Sequence, residues 1–210
     1  MGPAATVAFL ARLQALTPAK GDGDHIRVLV DINPHVPDRN RRPGEAEAEL
    51  ARMAAGLRDM GAEVLAMPCN TAHAQSAGIR AAGPPFIDMI AQTVRAASAS
   101  GGRRIGVLAT PGGERLYVDA LTGAGLEPVL LESEDRLRLM DLIYGVKAGD
   151  VGEAARADMA RLAALLADKG AQAVIAGCTE IPLLLGGNDL SVPLVDSTEA
   201  LARACVHACL

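Results

Sequence analysis

Two stretches of this chain have the same form. Residues 61–71 read Gly-Ala-Glu-Val-Leu-Ala-Met-Pro-Cys-Asn-Thr, and residues 170–180 read Gly-Ala-Gln-Ala-Val-Ile-Ala-Gly-Cys-Thr-Glu. In both, an apolar run follows a Gly-Ala pair and leads to a cysteine eight residues after the first glycine. Because Cys69 and Cys178 occupy matching positions 109 residues apart, the sequence predicts two copies of one structural unit.

Outward from these stretches, apolar runs typical of strands alternate with Ala-rich helical patterns. This alternation predicts an α/β protein with parallel strands covered by helices on both faces. We expect two similar lobes related by pseudo-twofold symmetry, one formed by residues 1–99 and 197–210 and the other by residues 100–196. The predicted strands are 26–32, 63–67, 104–109, 127–131, 172–176 and 192–195. The predicted helices are 3–16, 44–60, 71–82, 88–99, 112–123, 134–146, 152–169 and 197–209.

The opening strand of the second half has no counterpart in the first half. That strand, 104–109, is followed by Thr-Pro-Gly-Gly, and its equivalent in the first half falls before residue 1. The chain starts instead with Met1-Gly-Pro, which predicts a loop entering a helix, since proline suits a first helical turn. We therefore expect lobe 1 to lack its first strand, which is usually central in such a sheet and pairs its neighbours.

Composition argues against several classes of protein. The 210 residues carry a net charge of −5 and no long basic run, so nucleic-acid binding is not expected. No apolar run reaches the length of a membrane span, and the N-terminus does not have the pattern of a signal peptide. Four cysteines without a disulfide-framework spacing indicate free thiols and a cytoplasmic protein.

Cys69 and Cys178 are the candidate reactive groups. Each is expected where a strand ends and a helix begins, which is where open α/β sheets bind ligands. Such positions lower a thiol pKa from about 8.5 to roughly 3.5–7.5, and Gly177 would let a ligand approach the backbone. One thiolate would then remove a proton and the other thiol would return one. The alternative for either residue alone is a buried core cysteine.

Five motifs together suggest a family. They are Met1-Gly-Pro, Asn33-Pro-His-Val-Pro-Asp-Arg39, Cys69-Asn-Thr-Ala-His73, Tyr144-Gly-Val-Lys-Ala-Gly149 and Gly177-Cys-Thr-Glu180. They resemble the motifs of the aspartate/glutamate racemase superfamily, especially its aspartate racemase branch, over nearly the whole chain. The resemblance implies two α/β lobes with the active site between them, a homodimer, and a small-molecule substrate that is an amino acid. It also implies catalysis without pyridoxal phosphate.

The resemblance also implies roles for individual residues. Cys69 and Cys178 would be the acid–base pair acting on opposite faces of the α-carbon. Arg39 and Lys147 would hold substrate carboxylates, although each is also explained as a loop charge or a helix-end charge. The residues expected to line the same pocket are Met1, Asn70, Thr71, Thr110 and Thr179.

Other polar residues near the motifs give weaker signals. His73 would tune Cys69 or bond to backbone, and Glu180 would orient Cys178 or favour a helix start. Cys205 and Cys209 are expected to serve packing. No phosphate-binding glycine motif is present, so we expect no nucleotide, flavin or metal.

Three functions stay open on sequence grounds. The first is racemisation of aspartate. The second is racemisation or isomerisation of another amino acid, a hydantoin or a dicarboxylate on the same scaffold. The third is an inactive remnant or ligand-binding protein that lacks its first strand.

Overall fold

The computed structural model of the chain describes residues 2–38 and 42–210. The chain divides into two compact units, one comprising Met1–Met89 with Thr198–Leu210 and the other Ile90–Ser197. Each unit contains a parallel sheet with its own helices, so the predicted α/β class is confirmed. Met1 and Arg39, both predicted to bind substrate, lie outside the described residues.

The first unit has a two-stranded parallel sheet within the described part of the chain. Its strands are β1 (Leu65–Ala66) and β2 (Phe86–Ile87), paired Leu65 with Phe86 and Ala66 with Ile87. Its helices are α1 (Pro3–Leu16), α2 (Pro43–Asp59), the four-residue α3 (Ala77–Arg80) and most of α8 (Ser197–Cys209). One hydrophobic cluster joins α2 and α3 to β1, and another joins α1 to α8.

The second unit has a four-stranded parallel sheet in the order β4-β3-β5-β6. The strands are β3 (Arg104–Leu108), β4 (Glu127–Val129), β5 (Ala173–Ala176) and β6 (Leu194–Asp196). The helices are α4 (Met89–Ala99), α5 (Pro111–Gly123), α6 (Ser133–Lys147) and α7 (Glu153–Asp168).

Alternate residues of the central strands β3 and β5 pack into two separate hydrophobic clusters. Ile105 and Ile175 pack in a cluster with residues of α4 and α5, whereas Leu108 and Val174 pack in a cluster with residues of α6 and α7. Successive strand residues point to opposite faces, so both faces of this sheet are covered by helices. This arrangement explains the continuous apolar runs of the sequence.

The predicted strand 26–32 is wrong. Residues 26–33 have no regular secondary structure, and Val28, Val30 and Ile32 are 43, 44 and 40% exposed. In the second unit the predicted strand 127–131 forms β4, which pairs along β3, whereas no strand in residues 2–38 or 42–89 pairs with 26–32. A strand needs a hydrogen-bonded neighbour, so the apolar alternation alone does not form one here.

Two further differences lie around the first cysteine. The predicted helix 71–82 is a 3-10 helix (Thr71–Gln75) followed by the short α3. Gly78 of α3 lies so close to α2 that a Cβ there would be 2.6 Å from the Cβ of Ala51. The sequence also missed β2, which has only two residues and follows two prolines.

No helix within residues 2–38 and 42–210 has both the length and the apolar character that crossing a bilayer requires.

Candidate active site

Both cysteines lie just beyond the carboxyl end of a parallel strand. Cys69 follows β1, and Cys178 follows β5 at the centre of the second sheet. The predicted α-helix start after each is wrong, since 3-10 helices follow at Thr71–Gln75 and Ile181–Leu183. Helices this short supply little of the aligned dipole that would favour a thiolate. The surrounding side chains must therefore set the chemistry of each thiol.

Cys178 lies in a buried polar group with Glu180. The Cys178 thiol donates to Oε2 of Glu180 at 2.9 Å, and the Thr179 hydroxyl donates to the same oxygen at 3.2 Å. The other oxygen, Oε1, lies 4.0 Å from Nζ of Lys147, the last residue of α6. Four predicted site residues of the second unit are thus brought together.

The pKa of Cys178 is raised well above its ordinary value. Burial is the main cause, and the adjacent Glu180 carboxylate adds to it through its charge and its hydrogen bond, while Lys147 partly opposes the shift. The expectation that a strand-to-helix turn lowers this pKa is therefore wrong for Cys178. In the resting protein Cys178 is a neutral thiol, a form suited to donating a proton.

Thr110 lies on the same edge of the second sheet. It caps α5, its hydroxyl accepting from the Gly113 amide at 3.2 Å, and it is buried. Gly177 does not open a path for a ligand as predicted: an added Cβ would lie 2.6 Å from the ring of Tyr117 and 3.0 Å from the carbonyl oxygen of Leu108. This glycine instead lets the Cys178 turn pack against β3 and α5.

Cys69 is half-buried in a turn held by backbone and imidazole contacts. Its amide donates to the Met67 carbonyl at 2.8 Å, and its own carbonyl oxygen lies 2.8 Å from Nδ1 of His73. Asn70 and Thr71, predicted to bind substrate, are both buried beside it. The Asn70 carbonyl accepts from the His73 amide at 3.0 Å, so this side of the turn is also fixed.

The sequence overlooked residues that follow β2. The Met89 amide donates to Nε2 of His73 at 2.9 Å, and Oδ1 of Asp88 lies 4.0 Å from the same nitrogen. With the repeat offset of 109, Phe86 is the sequence equivalent of Val195 in β6. Applying the repeat to β6 would therefore have predicted β2 and the residues after it.

The other two cysteines lie on α8. Cys205 is buried in the core between α1 and α8, where burial raises its pKa to about 12, and Cys209 is exposed. A separate surface pocket is lined by residues of α1 and by Ile26 and Val28, and none of the predicted site residues lines it.

Comparison with known proteins places this chain in a family. The model of the family described as Asp/Glu/hydantoin racemase matches residues 1–205. The solved structure of the aspartate racemase of Picrophilus torridus superposes with a TM-score of 0.88 at 27% identity, over 99% of this chain and 90% of that one.

Curated relatives agree with this placement. The glutamate racemase of Roseiflexus sp. (strain RS-1) is 29% identical over 86% of this chain and 68% of its own. The broad-specificity amino-acid racemase of Bacillus subtilis (strain 168) is 24% identical over 100% of this chain and 95% of its own.

The fold is thus that of a racemase class of α/β protein. The chain belongs to the Asp/Glu/hydantoin racemase family.

Proposed function

We propose that this protein is a cofactor-independent amino-acid racemase that interconverts L- and D-aspartate by a two-thiol mechanism. The observation that carries the proposal is the Cys178–Glu180 contact of 2.9 Å, together with a second cysteine at the matching strand end of the other unit. One thiol held protonated and a second, Cys69, in a different environment suit an acid and a base.

In the proposed step, one thiol removes a proton from the α-carbon and the other returns one. The Cys69 thiolate takes the α-proton, so the C–H bond breaks, an S–H bond forms, and the electron pair passes into the carboxylate. The Cys178 thiol then gives its proton to the opposite face of the α-carbon and becomes a thiolate. The opposite enantiomer uses the same steps in reverse. Cations near the substrate carboxylate stabilise the charge that develops there.

Lys147 supports aspartate as the substrate. Its ammonium lies 4.0 Å from Glu180, the carboxylate that accepts from the Cys178 thiol. It also lies 5.4 Å from the ring centroid of Tyr144. We propose that it binds a substrate carboxylate together with Arg39, which lies outside the described residues. The likeness to an aspartate racemase structure favours the same substrate.

The second candidate is a racemase of wider specificity. The likeness to a broad-specificity amino-acid racemase and to glutamate racemases supports it. Neutral amino acids have no second carboxylate, so the dependence on Lys147 separates the two candidates.

We also propose that the protein is a cytoplasmic homodimer. The four free thiols support a reducing compartment, and sedimentation equilibrium tests the dimer.

Exchange of the α-proton in D₂O tests the function. Purified protein without pyridoxal phosphate is incubated with L-aspartate, L-glutamate and neutral amino acids, and the α-proton signal is followed by NMR. We expect the signal of aspartate to disappear while D-aspartate accumulates. If folded protein exchanges none of these substrates, the proposal is wrong and a ligand-binding role is favoured.

A matched pair of lysine variants tests the substrate. Lys147 and Lys169 have side chains that are equally exposed, at 35%, and each lies near a glutamate, Glu180 or Glu132. We expect Lys147→Ala to lower kcat/KM for aspartate by about 10²-fold or more, the cost of losing a charge-assisted contact, and Lys169→Ala to leave it unchanged. Equal losses for aspartate and alanine in Lys147→Ala would contradict the assigned role.

A further inference from the structure

His73 makes a buried bridge behind Cys69. Its side chain is only 2% exposed, and its ring lies against Phe86 of β2 with centroids 5.4 Å apart. Nδ1 lies 2.8 Å from the Cys69 carbonyl oxygen, and Nε2 lies 2.9 Å from the Met89 amide nitrogen. The imidazole thus joins the cysteine turn to the residue that begins α4.

These partners fix the tautomer of the ring. The Met89 amide is a donor, so Nε2 must be the unprotonated acceptor, and Nδ1 then carries the hydrogen donated to the Cys69 carbonyl. The ring is neutral in this arrangement. Burial lowers the pKa of His73, which agrees with the neutral form, although the Cys69 carbonyl and Asp88 oppose the shift and Arg80 adds to it.

The peptide of Cys69 lies outside any regular helix or strand. β1 ends at Ala66 and the next helix begins at Thr71, so Cys69 lies in an irregular segment whose amide bonds only two residues back, to Met67. Through the imidazole, the Cys69 carbonyl is linked to Met89, twenty positions further along the chain. This link therefore restricts rotation of the Cys69 peptide, which would change the direction of the Cα–Cβ bond of Cys69.

We propose that His73 is the positioning residue for Cys69, holding the thiol in line with the substrate α-carbon without touching the substrate. This rests on the proposed acid–base role of Cys69. Misplacing a reacting group by about 1 Å costs on the order of 10²-fold in rate. Loss of the bond to the Cys69 carbonyl should therefore lower kcat and change KM little.

Three substitutions distinguish the hydrogen bonds of His73 from the packing of its ring. His73→Phe keeps a ring beside Phe86 but removes both hydrogen bonds. His73→Asn offers an amide donor close to the position of Nδ1 and so retains the bond to the Cys69 carbonyl. His73→Gln places its amide nearer the position of Nε2 and so favours the Met89 amide. A positioning role predicts that only His73→Asn stays near the wild-type rate.

The first readout is kinetic. We expect His73→Phe and His73→Gln to lower kcat for racemisation about 10–10²-fold, and His73→Asn to stay within about threefold of wild type. The deuterium isotope effect should change most in the direction in which Cys69 removes the proton. Wild-type kcat in folded His73→Phe, or equal losses in all three variants, would overturn the proposal.

The second readout needs no substrate. Iodoacetamide labelling of each cysteine is followed by peptide mass spectrometry, with the exposed Cys209 as internal control. Freeing the turn should raise the labelling rate of half-buried Cys69 at least about fivefold in His73→Phe, with Cys209 unchanged and His73→Asn close to wild type. Unchanged labelling of Cys69 would overturn the positional link even if the protein proved not to be a racemase. Altered labelling in a protein without racemase activity would instead leave the link standing and refute only the proposed function.

Discussion

Glu180 acts on the second thiol in two ways. Its carboxylate accepts a hydrogen bond from Cys178 and so holds the thiol in place, but its negative charge also opposes formation of a thiolate there. Lys147, 4.0 Å away, offsets part of that charge. Burial and Glu180 therefore favour the protonated form of Cys178, while the nearby cation limits the cost of ionisation.

Removing the charge of Glu180 should lower the pKa of Cys178. In Glu180→Gln the charge repulsion is lost, so the pH profile of Cys178 alkylation should move to lower pH. It should stay above the range of an exposed cysteine, because burial is the larger cause of the shift. Peptide mass spectrometry across a pH series measures this.

The matched control is Glu132→Gln, an exposed glutamate that pairs with Lys169. It should leave the Cys178 profile unchanged. A profile that does not move in Glu180→Gln, or that moves to higher pH, would show that the carboxylate does not act on this thiol.

At the scale of secondary-structure elements, β4 and the segment 26–32 both lie in predicted strands, but only β4 is a strand in the structure. β4 pairs with β3 and buries Val129, whereas Val30 is 44% exposed in an irregular segment. In residues 27–32 no backbone hydrogen bond is formed within the described part of the chain. The difference arises from the partner strand and not from the residues themselves.

The same substitution in the two elements tests this difference. Val30→Thr should change the free energy of unfolding by less than about 0.5 kcal/mol, since the side chain already meets water. Val129→Thr should cost about 1–3 kcal/mol, because it buries a hydroxyl in the core. Urea denaturation measures both. Equal costs would mean that residues 26–32 are paired and buried in solution.

Local pattern predicted most elements, and tertiary contacts decided the rest. The strands around residues 105 and 175 are continuous apolar runs. Such runs predict buried strands from the local sequence alone. The two-residue β2 depends on pairing with β1, and the 3-10 helix and α3 after Cys69 contact the distant residues Met89 and Ala51. Matching cysteine positions identified the candidate thiols, but the raised pKa of Cys178 depends on burial, which no local pattern reports.

At the scale of the whole molecule, the two units differ in how much sheet each contains. The second unit has four parallel strands between two buried clusters, and the first has two short strands among the described residues. A two-stranded sheet is weak on its own, so the first unit depends mainly on helix packing. We propose that the two units therefore differ in local stability.

Hydrogen exchange measures this difference directly. Amides of β3 and β5 should exchange only through global unfolding, whereas those of β1 and β2 should exchange at least about tenfold faster through partial opening. Mass spectrometry of peptides covering each strand gives the rates. Equal protection in both sheets would show that the two units unfold as one.

We propose that two thiols act on opposite faces of one α-carbon. The most direct measurement is α-proton exchange in D₂O by Cys69→Ser and Cys178→Ser, with L- and D-aspartate supplied separately. Each variant should lose racemisation, because one face has no thiol, yet retain slow exchange of a single enantiomer at the remaining thiol. The two variants should prefer opposite enantiomers. Near-normal racemisation by either variant, or exchange of the same enantiomer by both, would contradict the account.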